Sequence, residues 1–106
     1  MGNMDNSAQP SPEIISKTKS SFYRRLLVAY LIDEKVNTVP SIMAHTKMPR
    51  RTAQDTISAL NEIDIICEFV GAKKDGGYEI KDWGAINKKW LRANIESIKN
   101  ALGYEC

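Results

Sequence analysis

The stretch from Pro49 to Leu60 constrains the fold more than any other part of the chain. A proline suits the first position of a helix, because its missing N–H group would have no intrahelical partner there. Ala53, Ile57 and Leu60 recur at spacings of four and three residues, so their side chains stack on one helical face. We therefore predict a helix over about residues 49–61, with this face packed against the rest of the domain.

The opposite face of this helix is polar, and its side chains are of types that contact DNA. Arg and Gln can form paired hydrogen bonds with guanine and adenine edges in a major groove. Basic residues near the helix N-terminus are placed for phosphates. The alternative is an ordinary surface helix on which Arg51 and Asp55 form an i,i+4 pair worth roughly 0.2–0.5 kcal/mol. The DNA contacts predicted from this segment are Lys47, Arg50, Arg51, Thr52, Gln54, Asp55 and Ser58.

A β-hairpin is predicted after this helix, over about residues 66–81. An apolar run up to Val70 and an alternating segment from Tyr78 flank a stretch rich in turn-forming residues, Lys73 to Gly77. Asp-Gly and Gly-Gly supply the positive φ angles that tight hairpin turns need. Lys73 and Lys74 at the tip join the predicted DNA contacts, although any soluble hairpin tip can carry lysines.

The predicted order is a helix, a short strand (Val36 to Val39), a helix, a turn, a helix and a hairpin wing. This order resembles the winged helix-turn-helix domain of bacterial transcription regulators. The segments Arg24–Asp33, Met48–Asp55 and Asp82–Gly84 are similar to a small bacterial winged-helix family whose suggested role is DNA binding. The resemblance extends over about Arg24 to Tyr104.

The resemblance implies a mainly α fold with a small β-hairpin, an α+β winged helix with an added C-terminal helix. We predict a flexible leader over residues 1–11 and a single domain over residues 12–106. Lys47 and Asp64 depart from the general pattern, because they stand where Gly is usual. Left-handed backbone conformations are uncommon in residues other than Gly. We therefore expect the turn to differ locally from the standard one.

The first and last helices carry long apolar stripes. The first, over about residues 20–34, is apolar nearly all round, which indicates burial on more than one side. The last, over about residues 83–102, is predicted to be capped by Asp82 and ended by Gly103. Its stripe either closes over the first helix within one chain or forms a dimer interface. We predict a homodimer through Trp90, Leu91, Ile95, Ile98 and Leu102.

The net charge is too small to indicate nucleic-acid binding by itself. The 106 residues include 15 basic and 13 acidic ones, a formal charge of +2. Local clusters therefore carry that inference. Lys17, Lys19, Arg24 and Arg25 precede the first acidic residue of the helical core, and Lys47, Arg50 and Arg51 come before any acid up to Asp55.

No pattern in the sequence indicates catalysis, a cofactor, a metal or a small-molecule ligand. His45 is the only histidine, and Cys67 and Cys106 lack metal-ligand spacing. We interpret Cys67 as a small buried hydrophobic residue rather than a redox switch. The chain has no apolar run of about 18 residues and no signal peptide, so we expect a cytoplasmic protein without membrane contact.

These features predict a sequence-specific DNA-binding protein, a bacterial transcriptional regulator whose partners are double-stranded DNA and a second copy of the chain. Winged helices also serve as protein–protein interaction modules without DNA binding. The low net charge favours this alternative, whereas the clustered basic residues favour DNA. An enzyme is a third class, which the sequence does not support.

Overall fold

The computed structural model describes residues 15–104, which form four α-helices, one 3₁₀ turn and a two-stranded antiparallel hairpin. This mainly helical α+β fold confirms the predicted class. The predicted leader, residues 1–11, lies outside the described residues. The elements are α1 (Lys17–Asp33), α2 (Val39–Thr46), α3 (Arg50–Ala59), the 3₁₀ turn (Leu60–Ile63), β1 (Ile66–Val70), β2 (Gly77–Asp82) and α4 (Lys88–Leu102).

Helix α1 lies between two hydrophobic clusters, which explains why it is apolar nearly all round. On one side, Val28, Ala29 and Ile32 pack with buried residues of α2 and α3. On the other side, α1 packs against α4. The helix begins before the predicted Ser20, because the hydroxyl oxygen of Ser16 accepts a hydrogen bond from the backbone N–H of Lys19 at 3.0 Å.

The apolar stripe of α4 belongs to the core of the single chain. Leu91, Ile95 and Ile98 are at most 7% exposed and pack with α1. Their assignment to a dimer interface is therefore wrong, because α1 already buries them. Leu102 is partly buried against the same cluster, and only Trp90, 46% exposed, remains open to a partner. The homodimer itself stays a prediction.

Helix α4 begins at Lys88 rather than near Trp83. Asp82 does not cap it, since its carboxylate accepts a hydrogen bond from the N–H of Gly84 at 2.7 Å and closes a turn. Gly84 has a φ of +60°, and a Cβ there would lie 2.5 Å from the carbonyl oxygen of Asp64. Asn87 caps the helix instead. Gly103 ends it in a left-handed conformation, as predicted.

The predicted strand from Val36 to Val39 is not formed. Val39 is already the first residue of α2, which Thr38 caps through reciprocal hydrogen bonds with Ser41. The segment is instead tied to β2 by Asn37, whose carbonyl oxygen accepts from the N–H of Tyr78 at 2.8 Å. The amide of Asn37 also donates to the carbonyl oxygen of Tyr78 at 3.1 Å.

The hairpin is confirmed, but its turn differs from the prediction. Gly71 supplies the positive φ, +96°, whereas Gly76 and Gly77 are outside the left-handed region. Gly76 is required for space instead, because a Cβ there would lie 2.5 Å from two backbone carbonyl oxygens. The loop from Gly71 to Gly76 is therefore a wider turn than a two-residue hairpin turn.

Candidate nucleic-acid interface

The turn between α2 and α3 is held by the buried side chain of Thr46. Its hydroxyl donates to the carbonyl oxygen of Ile42 at 2.8 Å and accepts from the N–H of Met48 at 3.2 Å. Met48 is itself buried in the core. Between these anchors Lys47 adopts a φ of +63°. Asp64, which follows the 3₁₀ turn after α3, adopts a φ of +64°. Both residues thus take the conformation usual for Gly, and the expectation of a different local turn is wrong.

Helix α3 begins at Arg50, because Pro49 is the cap residue rather than the first helical one. The carbonyl oxygen of Pro49 accepts from the N–H of Ala53 at 3.0 Å. No side chain caps this end of α3. The first N–H groups of the helix therefore remain available to an acceptor outside the chain, such as a phosphate oxygen.

The two faces of α3 are arranged as predicted. Ala53, Ile57 and Leu60 are buried in the core beside α1. Thr52 is partly buried, and its carbonyl oxygen accepts a hydrogen bond from Thr56. The solvent-exposed side chains are Arg50, Arg51, Gln54, Asp55 and Ser58. The helix thus presents a polar surface to solvent, while its opposite face is packed in the core.

Four of the predicted contacts carry charge that no carboxylate balances. Lys47, Arg50, Lys73 and Lys74 are exposed, and none forms an ion pair with another residue of the described chain. Lys47 and Arg50 flank the start of α3. Lys73 and Lys74 lie in the loop at the hairpin tip.

Arg51 differs from these four, because its Nε lies 3.6 Å from Oδ2 of Asp55. The two side chains are 86% and 72% exposed. The ordinary i,i+4 pair considered from the sequence is therefore present. Solvent screening makes such a pair weak, so the guanidinium of Arg51 can leave Asp55 for another partner.

Asp33 and Glu34 form ion pairs where α1 meets α4. Asp33 lies 3.2 Å from Nζ of Lys88 and 3.3 Å from Nη2 of Arg92. Glu34 also pairs with Arg92, at 3.4 Å. Here the charges connect two helices of the fold.

The strands of the hairpin carry an aromatic contact and a balanced pair of charges. The rings of Phe69 and Tyr78 meet edge to face with centroids 5.1 Å apart. Nζ of Lys81 lies 3.0 Å from Oε1 of Glu79. This hydrogen bond lowers the pKa of Glu79 and raises the pKa of Lys81. At the hairpin tip, by contrast, Lys73 and Lys74 form no ion pair with another described residue.

Neither His45 nor Cys67 builds a reactive site. His45 is exposed on α2. Burial, with a smaller contribution from Glu68, raises the pKa of the Cys67 thiol to about 11. The thiol is therefore protonated at neutral pH and a poor nucleophile. Within residues 15–104, no group of three or more His, Cys, Asp or Glu side chains could hold a metal ion. In that same range no helix is both long and apolar enough to cross a membrane.

Two basic residues beside this surface were not among the predicted contacts. Arg24 and Arg25 on α1 line a groove that Thr52 and Asp55 of α3 also line, and Arg25 pairs with Glu62. The signal for them in the sequence is the acid-free run of basic residues from Lys17 to Arg25. That signal gives no position relative to α3, which only the packing of α1 supplies.

Two helices joined by a tight turn, followed by a hairpin, define a winged helix-turn-helix domain, here extended by α4. A family model described as a winged helix-turn-helix matches residues 17–102, and the chain belongs to this family. Among solved structures, the chain is similar to a DUF2131 family protein from Shewanella amazonensis SB2B. The two share 35% identity with a TM-score of 0.80, over 86% of this chain and 91% of the other. No curated protein matches this chain.

Proposed function

We propose that this protein is a sequence-specific DNA-binding protein that acts as a bacterial transcriptional regulator in the cytoplasm. Helix α3 enters the major groove, where Arg51, Gln54 and Ser58 contact base edges. Thr52 and Asp55 border this contact. The residues that hold phosphates are Lys47 and Arg50 at the turn and Lys73 and Lys74 at the hairpin tip.

The observation that carries this proposal is the set of unbalanced charges at the start of α3. Lys47 and Arg50 are exposed cations without ion-pair partners in the described chain, beside a helix end that no side chain caps. Each phosphate that such a cation neutralises releases about 0.9 of a counterion from duplex DNA. A small net charge does not oppose this, because the released counterions depend on local contacts.

The pair between Arg51 and Asp55 is compatible with base recognition. An exposed ion pair is worth about 0.2–1 kcal/mol. A bidentate contact between Arg and guanine is worth about 1–3 kcal/mol of discrimination. The guanidinium therefore gains by exchanging Asp55 for a guanine, and the freed carboxylate can accept from a cytosine amino group.

The proposal includes a homodimer, which would place two α3 helices about 34 Å apart on a pseudo-palindromic site. Trp90 supports this part, because it is a large aromatic side chain exposed on α4. Sedimentation of the parent and of Trp90→Ala tests it: the parent should dimerise and the variant should dissociate. A monomeric parent would contradict it.

A second candidate is a protein-interaction module without DNA binding. Ile66, Phe69 and Val70 on β1 are exposed, as is Trp90. These side chains would then contact another protein. We prefer DNA, because exposed apolar residues are common on soluble proteins. Catalysis forms no part of either proposal.

Selection of bound duplexes from a random-sequence DNA pool tests the proposal. The parent should enrich one motif, and Arg51→Ala should lose the preference at one base position. Arg92→Ala is the control. It removes an equal charge from α4, where Arg92 pairs with Asp33 and Glu34, and should enrich the parent motif. If the parent retains no duplex above background at low salt, the DNA proposal is wrong and the second candidate is favoured.

A further inference from the structure

The side chain of Arg24 lines two open grooves beside α1. One, of about 290 Å³, separates α1 from α3 and is lined by Ser21, Thr52 and Asp55 as well as Arg24. The other, of about 570 Å³, separates the start of α1 from the end of α4. Its lining includes Lys17, Ser20, Arg24, Gly103 and Tyr104, and no acidic side chain from the described residues.

The guanidinium of Arg24 is poorly satisfied by the described part of the chain. Its Nε is buried and has no hydrogen-bond partner there, and the group forms no ion pair. The neighbouring Arg25 lines the first groove too, and its Nε is also buried without a partner in the described chain. It differs from Arg24 in the rest of its guanidinium, which donates to the hydroxyl of Ser21 at 2.7 Å and lies 3.7 Å from Glu62. A buried donor without an acceptor is unfavourable. An oxyanion bound to this guanidinium would supply an acceptor that the described chain does not.

The surroundings of Arg24 connect it to the helix-turn-helix on both sides. Thr52 and Asp55 of α3 border its first groove. Gly103 and Tyr104, which border the second, also line a further groove with His45 and Lys47 at the end of α2. Arg24 therefore lies next to the proposed DNA surface rather than behind it.

We infer that Arg24, assisted by Lys17, binds a phosphate of the DNA backbone outside the helix-turn-helix and the wing. This inference rests on the proposed function and extends its footprint to the start of α1. An open groove suits a polymer strand that passes over the surface. The planar fork of an arginine matches two oxygens of one phosphate, which a lysine cannot do.

The test compares the salt dependence of duplex binding for the parent, Arg24→Gln and Arg92→Gln, measured by anisotropy. The two variants lose the same charge, but Arg92 is paired with Asp33 and Glu34. Arg24→Gln should reduce the slope of log K against log salt by about 0.9, and weaken binding about eightfold at 0.1 M salt. Arg92→Gln should match the parent. Arg24→Lys should keep most of the slope.

Lys17→Gln is a second variant, which keeps the inference testable if Arg24→Gln does not fold. Lys17 is exposed, so its substitution leaves the core intact. This variant should also lower the slope. An unchanged slope in both Arg24→Gln and Lys17→Gln would overturn the inference, as would an equal loss in Arg92→Gln. If Lys47→Gln lowers the slope while Arg24→Gln does not, only the role of Arg24 fails. A parent that binds no duplex would instead refute the proposed function.

Discussion

The two sides of this molecule use their basic residues differently. Where α1 meets α4, Lys88 and Arg92 pair with Asp33 and Glu34, and the charges connect one helix to the other. Where α2 meets α3, Lys47 and Arg50 have no such partner in the described chain. The comparison shows that a formal charge of +2 conceals an uneven distribution. Charge on the first side stabilises the fold, whereas charge on the second is available to a ligand.

The largest effect should come from the apolar contact between α1 and α4. Leu91→Ala should lower the free energy of unfolding by about 2–5 kcal/mol, because it leaves a cavity in a fully buried site. Urea unfolding measures this loss. Trp90→Ala, at an exposed neighbouring position, should cost much less. A loss for Leu91→Ala no larger than that for Trp90→Ala would contradict the burial of this stripe by α1.

On the other side, Arg51→Ala should weaken binding to the selected DNA site by about 1–3 kcal/mol while leaving the unfolding midpoint unchanged. The guanidinium is exposed, so its removal disturbs binding and not the core. Competition between duplexes that differ at single base pairs measures the effect. Equal affinity of parent and variant for the selected site would place base recognition elsewhere.

Lys74→Ala should weaken binding to every duplex to a similar degree, about eightfold at 0.1 M salt, with a slope reduced by about 0.9. The reason is that a phosphate contact carries no sequence information. Lys81→Ala, on the same hairpin but at a residue paired with Glu79, is the control and should have a smaller effect. A larger loss in the control would mean that the base of the wing, and not its tip, contacts DNA.

The smallest effect should be that of the charge pairs themselves. Arg92→Gln should lower the free energy of unfolding by less than about 1 kcal/mol, because the Arg92 side chain is 53% exposed and solvent screens its ion pairs. It should not change DNA binding. Lys47→Gln should weaken DNA binding and leave the free energy of unfolding unchanged. Thermal unfolding and DNA titration of both variants measure the contrast. If both changed stability alike, the division between the two sides would be wrong.

Local patterns in the sequence were sufficient to predict the helical faces and the hairpin. Ala53, Ile57 and Leu60 are buried as their spacing requires. The periodicity of α4 was ambiguous, because Leu91, Ile95 and Ile98 show the same spacing whether α1 or a second chain covers them. Periodicity identifies an apolar face but not its partner.

Tertiary contacts account for the other differences. Asp82 satisfies the usual preference for a helix cap, yet the close approach of Gly84 to Asp64 places the turn there and moves the cap to Asn87. Lys47 takes a left-handed conformation because Thr46 and Met48 hold the backbone on either side. The grooves around Arg24 arise from helix packing, which no local pattern describes.

The most direct test is to titrate the parent protein into labelled mixed-sequence duplex DNA at several salt concentrations and follow anisotropy. The four unpaired cations at the turn and the hairpin tip predict that log K falls linearly with log salt, with a slope of about −3.6 per chain. Participation of Arg24 and Lys17 would make that slope steeper. Absence of binding at low salt, or a slope near zero, would contradict the assignment of this surface to DNA.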